Sequence, residues 1–353
     1  MPTPWWHPEQ MAKRRPALEA RRAAVKAVRA YFQAEGFLEV ETPALQVSPG
    51  IERHIHAFKT TLVAQEGLEP PKVRYLHTSP EFAMKKLLAG GLEKIVQLCP
   101  VYRDGEWTAL HHPAFTMLEW YRAQADYTAI MDDSLRVLQQ VAKAAHRSLE
   151  TDGQLRWKGR VCDPTAAAER LTVQEAFGRI GIDLLATITD HAASMPEPDK
   201  LRTAARAIGV TSTETDSWED IFFRVMLEKI EPYLGAGRPT VLYDYPACLG
   251  ALARKKPTDS RVAERFELYA CGVELGNAFS ELTDAAEQRA RFAHDRAMFE
   301  RLYGEAPPLD DDFLACLDFL PPCAGGALGF DRIVMLAIGA ERIEDVLWAP
   351  VST

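Results

Sequence analysis

Two stretches of the chain, 94–123 and 262–282, each read as a strand that turns and runs back beside itself, and helical segments separate them. Hairpins interleaved with helices exclude a doubly wound parallel sheet, in which every strand returns through a crossover helix. The expected class is α+β, a mixed and mostly antiparallel sheet flanked by helices. In the first stretch "KIVQLCPVYR" and "AFTMLEWYRA" flank a polar loop; in the second "RFELYACGVELGNAFSEL" turns at Cys271–Gly272.

The rest of the chain fills in around these hairpins. Residues 12–35 predict an amphipathic helix with Leu18, Val25, Val28 and Phe32 on one face. "FLEVETP" suits a strand ended by Pro43. "VRYLHTSPEFAMKKLLAGG" passes from strand to helix, with Ser79 as N-cap, Pro80 at the first helical position, Glu81 complementing the dipole and Gly90–Gly91 closing the helix. Residues 128–146 and 285–303 read as helices. A helical stretch to about 235 opens with Thr172 and Glu175 at capping-box spacing, and "PTVLYDYPA" returns to strand. "GGALGFDRIVMLAIGA" is a glycine-rich strand feeding a helix. Neither an internal repeat nor a flexible linker divides the sequence, so residues 1–353 are expected to form one domain, with about 172–235 as a helical insertion.

Composition narrows the partners. The 353 residues carry a formal net charge of −9, which argues against a broad basic surface held on nucleic acid. No run approaches the ~18 apolar residues that span a bilayer, and the N-terminus has no apolar signal core. Six cysteines are scattered without CxxC or zinc-ligand spacing, as expected of a protein in a reduced cytoplasm.

Three constellations carry chemistry. In the 262–282 hairpin, a tight turn sets Glu274 opposite Tyr269 and diagonal to Glu267, with Cβ atoms roughly 7–8 Å apart. Two such carboxylates either converge on a cation, most simply Mg²⁺ shared with substrate phosphates, or idle on a solvated face. A one-residue bulge would break this alignment. In "VYRDGEWTALHHPAFTMLEWY", Arg103 precedes a strand whose Phe115, Glu119 and Tyr121 share one face. The arginine can clamp a phosphate and the phenylalanine can stack on a purine, or the phenylalanine is simply core. In "AGGALGFDR", Arg332 at the start of a helix either meets a terminal phosphate or decorates a tight junction. With no GxSxG and no Cys/His pair suggested, attack by a substrate carboxylate on the α-phosphate of ATP fits best. The basic run Arg254-Lys255-Lys256 suits a solvated loop or an acidic partner.

Together these stretches resemble motifs two and three of class II aminoacyl-tRNA synthetases, with "GFLEVETP" resembling motif one around Pro43. More narrowly, "TSPEF", "HHPAFTMLEWYRAQADY" and "ELGNAFSELTDAAEQ" resemble lysyl-tRNA synthetase catalytic domains, over about residues 15–350. Motif one begins within the first forty residues, which leaves no room ahead of it for an anticodon-binding domain. A catalytic unit of that kind is similar to the elongation factor P–(R)-β-lysine ligase family. The resemblance implies ATP-dependent adenylation of (R)-β-lysine or lysine, transfer to elongation factor P, a homodimer and no stable tRNA binding. It assigns Arg103 and Arg332 to catalysis; Asp104, Gly105, His112, Phe115, Glu274, Leu275 and Gly329 to ATP; and Glu267 with Glu274 to Mg²⁺. It assigns Ser79, Pro80, Glu81, Glu119, Tyr121, Asn277, Glu281 and Ala327 to the amino acid. Three positions depart from the pattern: "RDGE" places Glu106 one residue late, Ala114 replaces a glutamate, and Ala327 replaces a glycine. The resemblance also admits a truncated synthetase acting on tRNA or a small acceptor, or a non-catalytic regulator.

Overall fold

The computed structural model describes residues 3–50, 52, 55–63, 71–188 and 195–351. The chain opens with helix α1 (Pro8–Ala34), short strands β1 (Leu38–Glu39) and β2 (Leu45–Gln46), strands β3 (Lys59–Leu62) and β4 (Lys72–Leu76), and helix α2 (Glu81–Ala89). The hairpin β5 (Lys94–Tyr102) and β6 (Ala114–Ala123) follows, then α3 (Tyr127–Leu149), β7 (Leu155–Trp157), β8 (Arg160–Cys162) and β9 (Glu169–Thr172). Next come α4 (Val173–Arg179), α5 (Asp199–Ala207), α6 (Trp218–Val225), β10 (Thr240–Pro246) and β11 (Lys255–Lys256). The second hairpin, β12 (Asp259–Ala270) and β13 (Val273–Ser280), leads to α7 (Ala285–Tyr303), α8 (Asp311–Cys316), β14 (Cys323–Gly329) and α9 (Phe330–Ile338).

Among the described residues the main sheet has nine strands in the order β1-β5-β6-β14-β13-β12-β10-β9, with β11 on β12. Only the outer pairs β1–β5 and β9–β10 are parallel, so the expected α+β class and both hairpins hold. The glycine-rich strand β14 lies between the hairpins. Alternation divides the sheet's duties: Leu118 and Trp120 of β6 are buried in the core with Phe32, Val137 and Phe330 beneath α1, α3 and α9. Phe115, Met117, Glu119 and Tyr121, on the opposite face, line a cavity. Side chains such as Trp120, fully buried, each contribute about 1.5–3 kcal/mol.

The elements depart from expectation in four places. Helix α1 starts at Pro8, four residues early, because proline suits the first turn and the His7 ring accepts a hydrogen bond from the Glu9 amide. Pro80, not Ser79, occupies the α2 N-cap position; Ser79 Oγ still accepts from the Glu81 amide at 3.0 Å but donates to Glu119. The helical stretch after Thr172 keeps its capping box but, among the described residues, breaks into three short α-helices with tighter and wider helical turns between and after them, residues 189–194 lying outside the described segments. The run Arg254-Lys255-Lys256 is half-buried and ion-paired within the chain, with Lys255 and Lys256 on β11 and not in a loop: Arg254 pairs with Glu264 at 2.5 Å, Lys255 with Glu287 at 2.9 Å, and Lys256 with Asp244.

The β12–β13 register decides what faces the cavity. Ala270 pairs with Val273 and Tyr269 with Glu274, as the tight turn predicts. Beyond them Leu268 pairs with Gly276 and Glu267 with Asn277, so the regular alignment ends at a bulge with Leu275 as the extra residue. In strict alternation Glu274 would share a face with Gly276 and Ala278. The bulge instead brings Asn277, Phe279 and Glu281 round to the side of Glu274, and all four line the cavity.

Candidate active site

One cavity of about 480 Å³ opens on the sheet face built by β6, β14, β13 and β12. Its first end is acidic. Helix α2 supplies Glu81, with Lys85 one turn on buried behind the lining; β6 supplies Glu119 and Tyr121; the residue after β13 is Glu281. Glu119 is almost fully buried and accepts hydrogen bonds from Ser79 Oγ (2.7 Å) and Tyr121 Oη (2.6 Å). Burial, then the nearby Glu81 charge, pushes its carboxyl up to about 7. Burial pushes Glu281 up to about 8, with Lys85 pulling the other way. Lys85 Nζ lies 2.5 Å from Glu81 Oε1 and 2.5 Å from Glu281 Oε2. Lys85 thus bridges the two carboxylates, and Glu281 Oε1 is left buried without a hydrogen-bond partner among the described residues. Pro80 borders a smaller adjoining pocket with Ser79 and Glu81. Ala327 sits between Asn277 and Glu119 in the β-ladder and lines the cavity.

The other end is cationic. Arg103, just past β5, holds its guanidinium 5.3 Å from the Phe115 ring centroid and donates from Nε to the Thr78 carbonyl at 3.4 Å. Arg332, in the first turn of α9, donates to the carbonyls of Glu274 (3.0 Å) and Leu110 (3.3 Å). Burial draws its pKa down and Glu274 opposes that shift. Leu275, Gly329 and His112 line the same space. His112 Nδ1 lies 2.6 Å from the Ala114 carbonyl and 3.2 Å from the Ala114 amide, and Nε2 accepts from the Val351 amide at 3.1 Å. Asp104 and Gly105 are not among the lining residues: Asp104 pairs with His56 and its side chain accepts from the Gly105 amide at 2.9 Å. Glu106, the late glutamate, lines the cavity and lies 3.7 Å from Arg103.

Glu267 and Glu274 lie beside this end. Glu267 accepts from Arg265 (2.6 Å), Tyr245 Oη (2.6 Å) and Tyr269 Oη (2.6 Å), so its two oxygens are engaged. Burial, then Glu267, raises the Glu274 carboxyl. Glu231, held up at about 7 by burial and then by Glu267 and Glu274, completes an acidic patch. Among the described residues no group of three His, Cys, Asp or Glu forms a ready-made metal cage.

The sequence signal for these groups was partial. Lys85 was legible four residues after Glu81, the spacing that stacks two helical side chains. Arg265 shares a strand face with Glu267 at i, i+2, and its guanidinium also lies 4.4 Å over the Tyr245 ring. Tyr245 and Glu231 come from segments distant in sequence, and only the folded sheet brings them near.

The family model of class II tRNA synthetases (D, K and N) matches residues 9–353. The chain belongs to the class II tRNA synthetase family. Its sequence is 38% identical over 339 residues to a Klebsiella pneumoniae (strain 342) protein named elongation factor P–(R)-β-lysine ligase, covering 94% of each chain. Proteins of the same name from Salmonella arizonae (37% over 349 residues; 98% of this chain and 97% of the relative) and Vibrio cholerae (37% over 336 residues; 94% of each) are similar to it. This class II synthetase thus belongs to the same family as those ligases, as its three sequence constellations imply. No described helix of this synthetase-family chain is long and apolar enough to cross a membrane.

Proposed function

We propose that the chain activates (R)-β-lysine, or lysine, with ATP as an aminoacyl-adenylate and transfers the acyl group to the ε-amino group of a lysine on elongation factor P. The observation that carries this reading is one cavity with an acidic end, lined by Glu81, Glu119 and Glu281, and an end lined by Arg332 and by Arg103 lying over the Phe115 ring.

The substrate carboxylate attacks the α-phosphorus of ATP and pyrophosphate leaves. The acceptor amine then attacks the acyl carbon, forming an amide and releasing AMP. No protein nucleophile is required. Arg103 binds the α-phosphate and neutralises charge that grows in the transition state, while Phe115 stacks on adenine and Arg332 holds the terminal phosphate. Leu275, Gly329 and the His112 ring shape the nucleotide end, with Glu106 taking the place expected for Asp104 and Gly105. Glu81, Glu119 and Glu281, aided by Ser79, Pro80, Tyr121, Asn277 and Ala327, take up the ammonium groups, because a buried cation needs paired partners.

Mg²⁺ fits the nucleotide end as a shared ion. No described donor reaches the Glu274 carboxylate, which burial destabilises as an anion, whereas Glu267 is oriented by three donors. When bound, the ion would neutralise phosphate charge, with one or two carboxylates sufficing beside phosphate oxygens. A single synthetase-like domain over residues 1–353, a homodimer and a cytoplasmic setting complete the proposal.

The test is incubation of the protein with ATP, elongation factor P and either lysine isomer, read by intact mass. A gain of one aminoacyl group on elongation factor P is expected. No gain with either isomer from a folded enzyme overturns the reading, and pyrophosphate exchange separates adenylation from transfer.

A further inference from the structure

A pocket built to bind cations already contains one. Lys85 is 1% exposed and bridges Glu81 Oε1 and Glu281 Oε2, each at 2.5 Å. Its Nζ lies 5.2 Å from the Phe279 ring centroid and 5.9 Å from that of Phe313, two ring faces that also favour a cation. The groups facing it are Glu81 from its own helix, Glu119 from β6, Glu281 after β13, and the thiols Cys316 and Cys323. The neighbouring Lys86 is turned to Asp310 and Asp312 at 2.9 and 2.8 Å and takes no part.

We propose that Lys85 is a built-in counter-cation that permanently neutralises one of the three pocket carboxylates, so that the subsite demands an acyl group with two ammonium groups. The inference rests on the activation reading above. When all three carboxylates are ionised, Glu119 and Glu281 fully buried and Glu81 half-buried, the one ammonium leaves two negative charges, which a diamino acyl group balances. A substrate with one ammonium leaves a carboxylate bare or protonated, which is unfavourable in a desolvated site. Burial works against the lysine charge, but Glu281 and Glu81 outweigh it, so the ammonium form persists beyond the ordinary lysine range. Lys85 in turn pulls down the raised carboxyls of Glu119 and Glu281. It acts through those carboxylates and is a positioning residue.

The experiment compares wild type with Lys85→Met and Lys85→Arg in the full chain. Carboxyl-labelled glutamate is followed by NMR across pH without ligand, and calorimetry then measures binding of lysine, β-lysine and the monoammonium probe norleucine. The Glu281 resonance is expected to titrate about one pH unit or more higher in Lys85→Met and near wild type in Lys85→Arg. The pH midpoint of lysine affinity should move with it, and wild type should prefer lysine to norleucine by at least ~10-fold. Lys85→Gln replaces Lys85→Met if the latter does not fold. An unshifted Glu281 titration in a folded neutral variant overturns the proposal, as does equal wild-type affinity for norleucine and lysine. Wild type that titrates as described but binds no diamino acid overturns the activation reading and leaves the counter-cation standing.

Discussion

Glu281 is fully buried with only Lys85 beside it, at Oε2, and its other oxygen has no described partner, a costly state for a carboxylate unless a ligand completes it. Glu281→Ala is therefore expected to reduce diamino-acid-dependent pyrophosphate exchange by about 2–5 kcal/mol, roughly 30-fold to several thousand-fold, with ATP binding retained. Exchange at the wild-type rate would remove Glu281 from the substrate pocket. The same carboxyls give the ligand-free protein a pH signature. Glu119 and Glu281 titrate at about 7 and about 8, above the ordinary carboxylate value, so folding takes up protons between those limits. Their contribution to stability is full below the unfolded value and is lost as pH rises through the folded values. The melting temperature should carry a downward component from about pH 5 to about pH 8, and lysine should stabilise more at about pH 8 than at about pH 6. A lysine-induced shift independent of pH would contradict this. At this scale the sequence was informative for residues inside a motif, such as Arg103, Phe115 and Arg332. It could not show that Glu267 is engaged by Tyr245, because that tyrosine sits on another strand.

Elements constrain one another through a few contacts. Gly325 of β14 lies against Tyr121 of β6, and a Cβ there would sit 2.2 Å from the Tyr121 ring. Gly325→Ala is expected to displace the ring from Glu119, costing about 1–3 kcal/mol and raising KM for the amino acid without changing KM for ATP. A parallel rise in both would point to general disorder of the sheet. Asp331 ties three elements: it is fully buried, pairs with Arg21 of α1 and accepts from the Thr116 amide of β6 at 2.7 Å. Asp331→Ala strands the Arg21 guanidinium and should lower stability by about 3–5 kcal/mol in denaturant titrations. A loss below about 1 kcal/mol would mean that water reaches Arg21. Both hairpins were legible because alternation and turn residues are local signals. The Leu275 bulge was not, since a single extra residue between two regular runs leaves the apolar pattern intact.

For the molecule as a whole, the net charge of −9 predicts weak engagement of RNA. Titration with tRNA should give affinity no tighter than about 10⁻⁴–10⁻⁶ M at physiological salt. Tight binding with a steep salt slope would reveal a basic surface that the overall charge conceals. Fold class was legible because hairpins and helices alternate along the chain; the strand order was not, because it depends on pairings between distant segments. That order makes synthesis of the protein a late-closing process. β14 leaves the ribosome after both hairpins, yet it joins the centre of the sheet, between β6 and β13. Until residues 323–329 emerge, the nascent chain holds two half-sheets with unpaired inner edges, the kind of surface that seeds intermolecular strand pairing. A premature stop ahead of Cys323 would thus yield an aggregating product with its two substrate ends never brought together.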